Sequence, residues 1–209
     1  MIAIVDYEAG NLASVARALE KIGRPGRITG RPEEILAAER VIFPGVGAAG
    51  AAMAALVRTG LGEAVREVVS RGTPLLGICL GTQIILTFSH ENQCPCLGIV
   101  KGEVRLFPSD MKNSDGSLLK IPHMGWNTIR VTKAHPVLAG VAADDGFYFV
   151  HSYYPAPEND DDCLAITDYG LSFAAAIGRE NVFATQFHPE KSGRPGLRML
   201  ENFCGWSPC

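Results

Sequence analysis

Short apolar runs rich in β-branched residues alternate with helix-patterned stretches through the first 88 residues, and this alternation limits the fold more than any other feature. Ile2-Ala3-Ile4-Val5 reads as a buried strand of a parallel sheet. Leu12, Val15, Ala16, Leu19 and Ile22 then recur at helical spacing, with Asn11 as the expected N-cap and Gly23 as the expected stop. The pattern repeats with Arg27-Ile28-Thr29 as a strand, a brief helix opened by Pro32, and Val41-Ile42-Phe43 as the next strand. An Ala-rich helical region follows from Gly50 to Arg71, broken near Gly60 to Gly62. Leu75-Leu76-Gly77-Ile78 is another strand, and Leu80 to Phe88 another helix. Such alternation predicts an α/β fold, doubly wound, with a mostly parallel or mixed sheet flanked by helices.

After about Gln93 the character changes. Strand-like pieces at Ile99 to Phe107, Thr128 to Thr132, Phe147 to Val150, Cys163 to Thr167, Phe173 to Ile177 and Val182 to Phe187 are separated by Gly, Pro, Asn and Asp, which predicts antiparallel hairpins in the C-terminal half. A helix over Gly196 to Phe203 closes the chain, and the acidic run Glu158 to Asp162 reads as a solvated turn. With 209 residues, no repeat and no linker, a single domain over residues 1–209 is expected.

Composition narrows the function classes. A formal net charge of -3 offers no basic face for nucleic acid. The longest mostly apolar stretch, Pro74 to Phe88, is too short to span a bilayer, and Asp6 interrupts the apolar start too early for a signal peptide. A cytoplasmic protein without a membrane partner is expected, with its six cysteines reduced.

Gly45-Val46-Gly47-Ala48-Ala49-Gly50 matches G-x-G-x-x-G, but it sits two strands in, and the following strand ends in Cys79 rather than an acid. A tight turn therefore fits better than a dinucleotide site. Gly77-Ile78-Cys79-Leu80-Gly81 carries more information. It has the form of a nucleophile elbow between strand and helix, where small neighbours permit a sharp turn that exposes the nucleophile. The helix N-terminus favours the thiolate over a free thiol of pKa ~8.5. An isolated cysteine near a strand end is also, commonly, just a small buried hydrophobe. His188-Pro189-Glu190 shifts the balance. On an extended segment, residues two apart lie on one side with α-carbons ~6.6 Å apart, so the carboxylate can hold the imidazole while the ring serves the sulfur as acid and base. Two independent motifs in one chain favour catalysis over a surface ion pair.

On these motifs the sequence resembles the triad-type (class I) glutamine amidotransferases. It is similar, more narrowly, to the glutaminase subunits of imidazole glycerol phosphate synthase in histidine biosynthesis. The match extends through Ile4-Val5-Asp6-Tyr7, Gly10-Asn11-Leu12, Phe43 to Gly47, Gly77 to Gly81 with Gln83, Pro122-His123-Met124-Gly125-Trp126-Asn127, Phe147 to Tyr153, and Gln186 to Gly193. The resemblance implies Cys79 as nucleophile, His188 as acid and base, and Glu190 as its orienter, with L-glutamine as substrate and no cofactor. It implies oxyanion donors at Leu80 and in the Gly45, Val46, Gly47 loop, and substrate contacts from Gln83 and from the backbone of His151, Ser152 and Tyr153. It also implies a separate cyclase subunit as heterodimer partner and ammonia acceptor, docked near Asn11, Met124, Trp126, Tyr148 and Lys191.

The sequence departs from that pattern at Glu8, where the family usually has Gly, at Ala49, and at Cys94-Pro95-Cys96. His90, Cys94 and Cys96 lack a fourth ligand, so no metal site is expected. The competing readings are a glutaminase subunit of another pathway, such as the anthranilate type, a non-catalytic interaction module on the same fold, and a cysteine peptidase or redox sensor.

Overall fold

The computed structural model describes residues 1–8, 10–112 and 115–208. In chain order the elements begin β1 (Ile2–Val5), α1 (Leu12–Lys21), β2 (Gly26–Thr29), α2 (Pro32–Leu36), β3 (Arg40–Gly45), α3 (Ala49–Thr59), α4 (Leu61–Ser70), β4 (Leu75–Cys79) and α5 (Leu80–Ile84). Then come β5 (Phe88–Ser89), β6 (Cys94–Pro95), β7 (Gly102–Leu106), β8 (His123–Thr128), β9 (Arg130–Val131) and β10 (Gly146–His151). The chain ends with β11 (Tyr153–Pro157), β12 (Cys163–Tyr169), β13 (Leu171–Arg179), β14 (Val182–Thr185) and α6 (Gly193–Gly205).

Among the described residues the main sheet runs β2-β1-β3-β4-β14-β13-β12-β9. Strands β2, β1, β3, β4 and β14 are parallel to one another, and β13, β12 and β9 continue antiparallel. The period-2 alternation of a strand sends its side chains to opposite faces. Ala3, Val5, Val41, Phe43 and Leu75 accordingly pack with α2, α3 and α4 on one side. Ile4, Ile42, Leu76 and Ile78 pack with α1 and α6 on the other. Each fully buried Phe or Leu in these layers contributes about 1.5–3 kcal/mol, and the sheet that carries the site is sandwiched between them. The doubly wound, mixed α/β fold is as expected.

Two glycines end helices where the sequence said they would. Gly23 has φ 70, and the amides of Gly23 and Arg24 close back on the carbonyls of Glu20 and Leu19. Gly60, at φ 71, divides α3 from α4.

Other expectations are corrected. The helix expected to reach Phe88 stops at Ile84. The carbonyls of Ile84, Ile85, Leu86 and Thr87 instead accept from the amides of residues 96–100, so a returning chain replaces the missing helical bonds. The strand β8 lies just upstream of the expected strand at Thr128 to Thr132, which shrinks to Arg130–Val131. Strand β11 was hidden by Pro155 and Pro157. It is the edge of the four-stranded sheet β11-β7-β5-β6, where a missing donor is tolerated. The acidic run is not wholly solvated: Asp160–Asp162 form a 3-10 turn, and Asp162 is buried.

The described cysteines, at 79, 94, 96, 163 and 204, are free thiols, and Cys209 lies outside the described residues. No described helix is long and apolar enough to cross a membrane. Among the described residues no group of three or more His, Cys, Asp or Glu could hold a metal ion.

Candidate active site

Cys79 ends β4 with φ 54 and ψ -106, a conformation strained for any residue bearing a Cβ. Its neighbours make the turn possible. A Cβ on Gly77 would sit 2.8 Å from that of Ala184, and one on Gly81 would run into the carbonyl oxygen of Phe43. The two glycines let the elbow pack between β3 and β14, and Thr82 Oγ1 fastens it by donating to the Thr185 carbonyl at 2.6 Å.

His188 follows β14, the parallel neighbour of β4, so sheet order alone brings it beside Cys79. Its Nδ1–H donates to Glu190 Oε1 at 2.7 Å, and both side chains are sealed from solvent. The two residues are not on an extended segment, as the sequence had implied. Pro189–Lys191 form a 3-10 turn, which Pro189 favours because a helix start needs no amide there. The turn is locked from behind: Ser192 Oγ donates to the His188 carbonyl at 2.6 Å and accepts from the Tyr148 amide at 3.0 Å.

The other ring nitrogen, Nε2, is buried without a hydrogen-bond partner. Burial alone would lower the pKa of His188, but the charge of Cys79, followed by Glu190, outweighs it and raises the pKa to about 10. The imidazolium is therefore stabilised between a sulfur and a carboxylate.

A cavity of about 350 Å³ opens onto Cys79. Val46 and Gly47 after β3, Leu80 after Cys79, Gln83 on α5, and His151, Ser152 and Tyr153 where β10 passes into β11 all line it. Gly47 has φ 109, a backbone setting that residues with a Cβ rarely adopt, and this accounts for the glycine pattern without any nucleotide. Gly45 is held at close quarters too, since a Cβ there would collide with the Tyr7 hydroxyl.

Several side chains differ in detail from expectation. Both amide protons of Gln83 are taken, by the Tyr153 carbonyl at 2.8 Å and Gln186 Oε1 at 3.0 Å, so only its carbonyl oxygen is free to face a substrate. The His151 ring is occupied within the wall. Its Nδ1–H donates to the Tyr153 carbonyl at 2.8 Å, which leaves Nε2 to accept from His123 Nδ1–H at 3.2 Å. Burial lowers the pKa of His123 to about 4 and that of His151 to about 3, so both rings are neutral near pH 7. Only the backbone of His151 is left for a ligand.

Four contributors were given no role from the sequence. Gln186 Nε2 donates to Cys79 Sγ at 3.7 Å. The Tyr7 phenol, pushed to a raised pKa by burial and then by Cys79, lies near the base of the elbow. Glu91 lines the cavity while accepting from the Ala49 amide at 2.7 Å, and Asn92 Oδ1 accepts from the Gly50 amide at 3.2 Å. The loop with Cys94-Pro95-Cys96 thus caps α3 just behind the glycine turn. Gln186 adjoins the His-Pro-Glu motif and Tyr7 lies in a segment that matches the family, so both offered a signal; Glu91 and Asn92 offered none.

The residues expected at a partner surface cluster on the ribbon β8–β10. Met124 and Trp126 are each 62% exposed, which rules out their alternative reading as core. Trp126 pairs with Tyr148 across the ribbon, with ring centroids 6.0 Å apart, and Lys191 Nζ lies 5.9 Å from the Tyr148 ring centre. Asn11 behaves differently. It occupies the N-cap position of α1 at φ 78 but makes no capping bond, and its amide turns inward to Glu190 Oε1 at 2.6 Å.

The family profile described as glutamine amidotransferase class-I matches residues 3–205. The chain belongs to that family. Among relatives of this amidotransferase is the imidazole glycerol phosphate synthase subunit HisH of Nitratidesulfovibrio vulgaris strain DP4, 53% identical over 97% of this chain and 95% of the relative. The subunit of the same name from Neisseria meningitidis serogroup A is 47% identical, covering 98% of this chain and 99% of the relative. The fold is shared with a crystal structure described as a glutamine amidotransferase (TM-score 0.72, 20% identity, 97% and 98% of the two chains) and with PurLQS from Thermotoga maritima (TM-score 0.71, 18% identity, 98% and 97%).

Proposed function

We propose that this chain is the glutaminase subunit of an imidazole glycerol phosphate synthase, hydrolysing L-glutamine in the cytoplasm as one amidotransferase domain over residues 1–209. The observation that carries the chemistry is the His188 ring, with one nitrogen fixed on Glu190 and the other buried, unpartnered and adjacent to Cys79.

In the first step the Cys79 thiolate, paired with the protonated His188 ring, attacks the side-chain carboxamide carbon of glutamine. The negative charge that develops on the carboxamide oxygen is met by the Leu80 amide and by an amide of the Gly45-Val46-Gly47 turn. Collapse breaks the C–N bond, with His188 returning its proton to the departing ammonia, and a glutamyl thioester remains on Cys79. Water, deprotonated by His188, then releases glutamate. Throughout, Glu190 keeps the Nδ1 proton in place, so Nε2 always points at the reacting atoms. Gln83 offers its carbonyl oxygen to the substrate, and the 151–153 backbone holds the amino-acid end.

Ammonia freed into water near pH 7 becomes ammonium and loses its nucleophilic lone pair. The product must therefore pass directly to an acceptor enzyme. A cyclase subunit docked over Met124, Trp126, Tyr148 and Lys191 supplies that acceptor, which matches the synthase named for the relatives.

The test is glutamate release from glutamine, with and without the cyclase. The wild type is expected to turn over and to be stimulated by this cyclase rather than by an anthranilate-type acceptor, and Cys79→Ala is expected to be inactive. Undiminished activity in Cys79→Ala would overturn the mechanism. An electrophilic glutamine analogue that leaves Cys79 unlabelled would point to a non-catalytic module.

A further inference from the structure

We infer that Asn11 is a positioning residue of the active site: its side-chain amide fixes the Glu190 carboxylate, and through it the His188 ring. The inference rests on the proposed Cys79, His188 and Glu190 chemistry and adds to it a group 177 residues away in sequence from the histidine.

The backbone of Asn11 does what a residue opening a helix should do, since its carbonyl accepts from the amides of Ser14 and Val15 at the start of α1. The side chain does not. An Asn in this position ordinarily turns its oxygen onto the first free amides of the helix, yet Asn11 makes no such bond. It holds φ 78 and ψ 2, a left-handed setting that costs strain wherever a Cβ is present. That setting sends the amide the other way, to donate to Glu190 Oε1 at 2.6 Å while lying 3.3 Å from His188 Nδ1.

Glu190 Oε1 thus accepts two bonds, one from His188 Nδ1–H and one from Asn11, while Oε2 is buried with no partner. The terminal torsion of a Glu side chain has no sharply preferred value, so within its buried seat the hydrogen bonds select the plane of this carboxylate. Without Asn11, one bond remains and the carboxylate is held less firmly against His188. The imidazole then loses its fixed aim at Cys79.

The experiment separates this role from a merely structural one. Glycine adopts the left-handed conformation without strain, so Asn11→Gly keeps the turn and removes only the amide. Asn11→Asp keeps the size and tolerates the backbone setting but has no proton to donate. Both variants are assayed for glutamate release with and without the cyclase, alongside wild type and Cys79→Ala.

The expected result is a fall in kcat of at least about tenfold for both, from loss of a charge-assisted bond, with KM for glutamine within about twofold. The fold-loss should be the same with and without the cyclase, and both variants should still unfold in one cooperative thermal transition above the assay temperature. Wild-type kcat in Asn11→Gly, or a loss confined to the cyclase-stimulated rate, overturns the inference and leaves the triad standing. A wild type that releases no glutamate, or a Cys79→Ala variant as active as wild type, means that the triad reading has failed and this inference with it.

Discussion

His188 Nδ1 lies 2.7 Å from Glu190 Oε1 with neither side chain reaching solvent, and this contact has consequences for stability as well as catalysis. Burial acts to lower the His188 pKa, but Cys79 and then Glu190 raise it to about 10, against an ordinary value of 6.5. A folded-state pKa above the unfolded one stabilises the fold fully below pH 6.5, and the gain is lost as pH climbs toward 10. Unfolding free energy should accordingly decline between pH 6.5 and 9.5 by up to a few kcal/mol. Cys79→Ser removes the strongest raising neighbour and should flatten the decline. Urea titrations of both proteins across that window check it, and parallel curves would contradict the assignment.

The elbow makes a separate demand on Gly81. Any Cβ there is driven into the Phe43 carbonyl, which belongs to the rigid centre of the sheet and cannot retreat. Gly81→Ala is expected to lose about 1–3 kcal/mol of stability from overpacking. The shift of the turn should also slow alkylation of Cys79 by a glutamine-like electrophile. Urea unfolding and the labelling rate measure the two effects, and an alanine variant that matches wild type in both would show that the turn has slack.

Much of this was legible in the sequence, and the reasons lie in particular residues. Ile2 to Val5, Val41 to Phe43 and Leu75 to Ile78 announced the central sheet because strands buried on both faces must be apolar throughout. Cys79 and His188 were legible because each sits in a motif whose small or cyclic neighbours have few other uses. What stayed hidden depends on contacts between distant segments. The early end of α5 at Ile84 is decided by amides near residue 97, and no local pattern at 80–88 records them. The same holds for Glu91, which acts on Ala49 from 42 residues away, and for Asn11, which looks like an ordinary cap until Glu190 is placed beside it. Strand β8 was missed because Gly125 and Asn127 interrupt its pattern while its outward positions, Met124 and Trp126, are apolar.

Those outward residues are the basis of a binding prediction. Trp126 is 62% exposed and packs edge-on to Tyr148, which Lys191 approaches in turn. Large aromatic side chains dominate interface energies. Trp126→Ala should weaken association with the cyclase subunit by about 2 kcal/mol or more, roughly thirtyfold in Kd. The basal rate without cyclase should be unaffected, because Trp126 does not line the cavity over Cys79. Calorimetric titration against the cyclase gives the affinity. An unchanged Kd would place the docking surface elsewhere.

Glu8 makes the last prediction, and its sign is unusual. This residue stands where the resembled family usually carries glycine, and its φ of 71 shows why glycine is the common choice. The strain of a Cβ in that region is about 1–2 kcal/mol. Its side chain returns a little by reaching Arg58 at 2.7 Å, but both partners are more than half exposed, and such pairs contribute about 0–1 kcal/mol. Glu8→Ala loses the ion pair and keeps the strain, so it should destabilise. Glu8→Gly loses the same pair but relieves the strain, at the cost of about 0.5–1 kcal/mol of added freedom in the unfolded chain. The glycine variant should therefore be more stable than the alanine variant by up to about 1 kcal/mol, the reverse of their order inside a helix. Melting temperatures of the two variants, taken together with Arg58→Ala to isolate the ion pair, decide the matter. If alanine proves the more stable, the turn at Glu8 carries no strain.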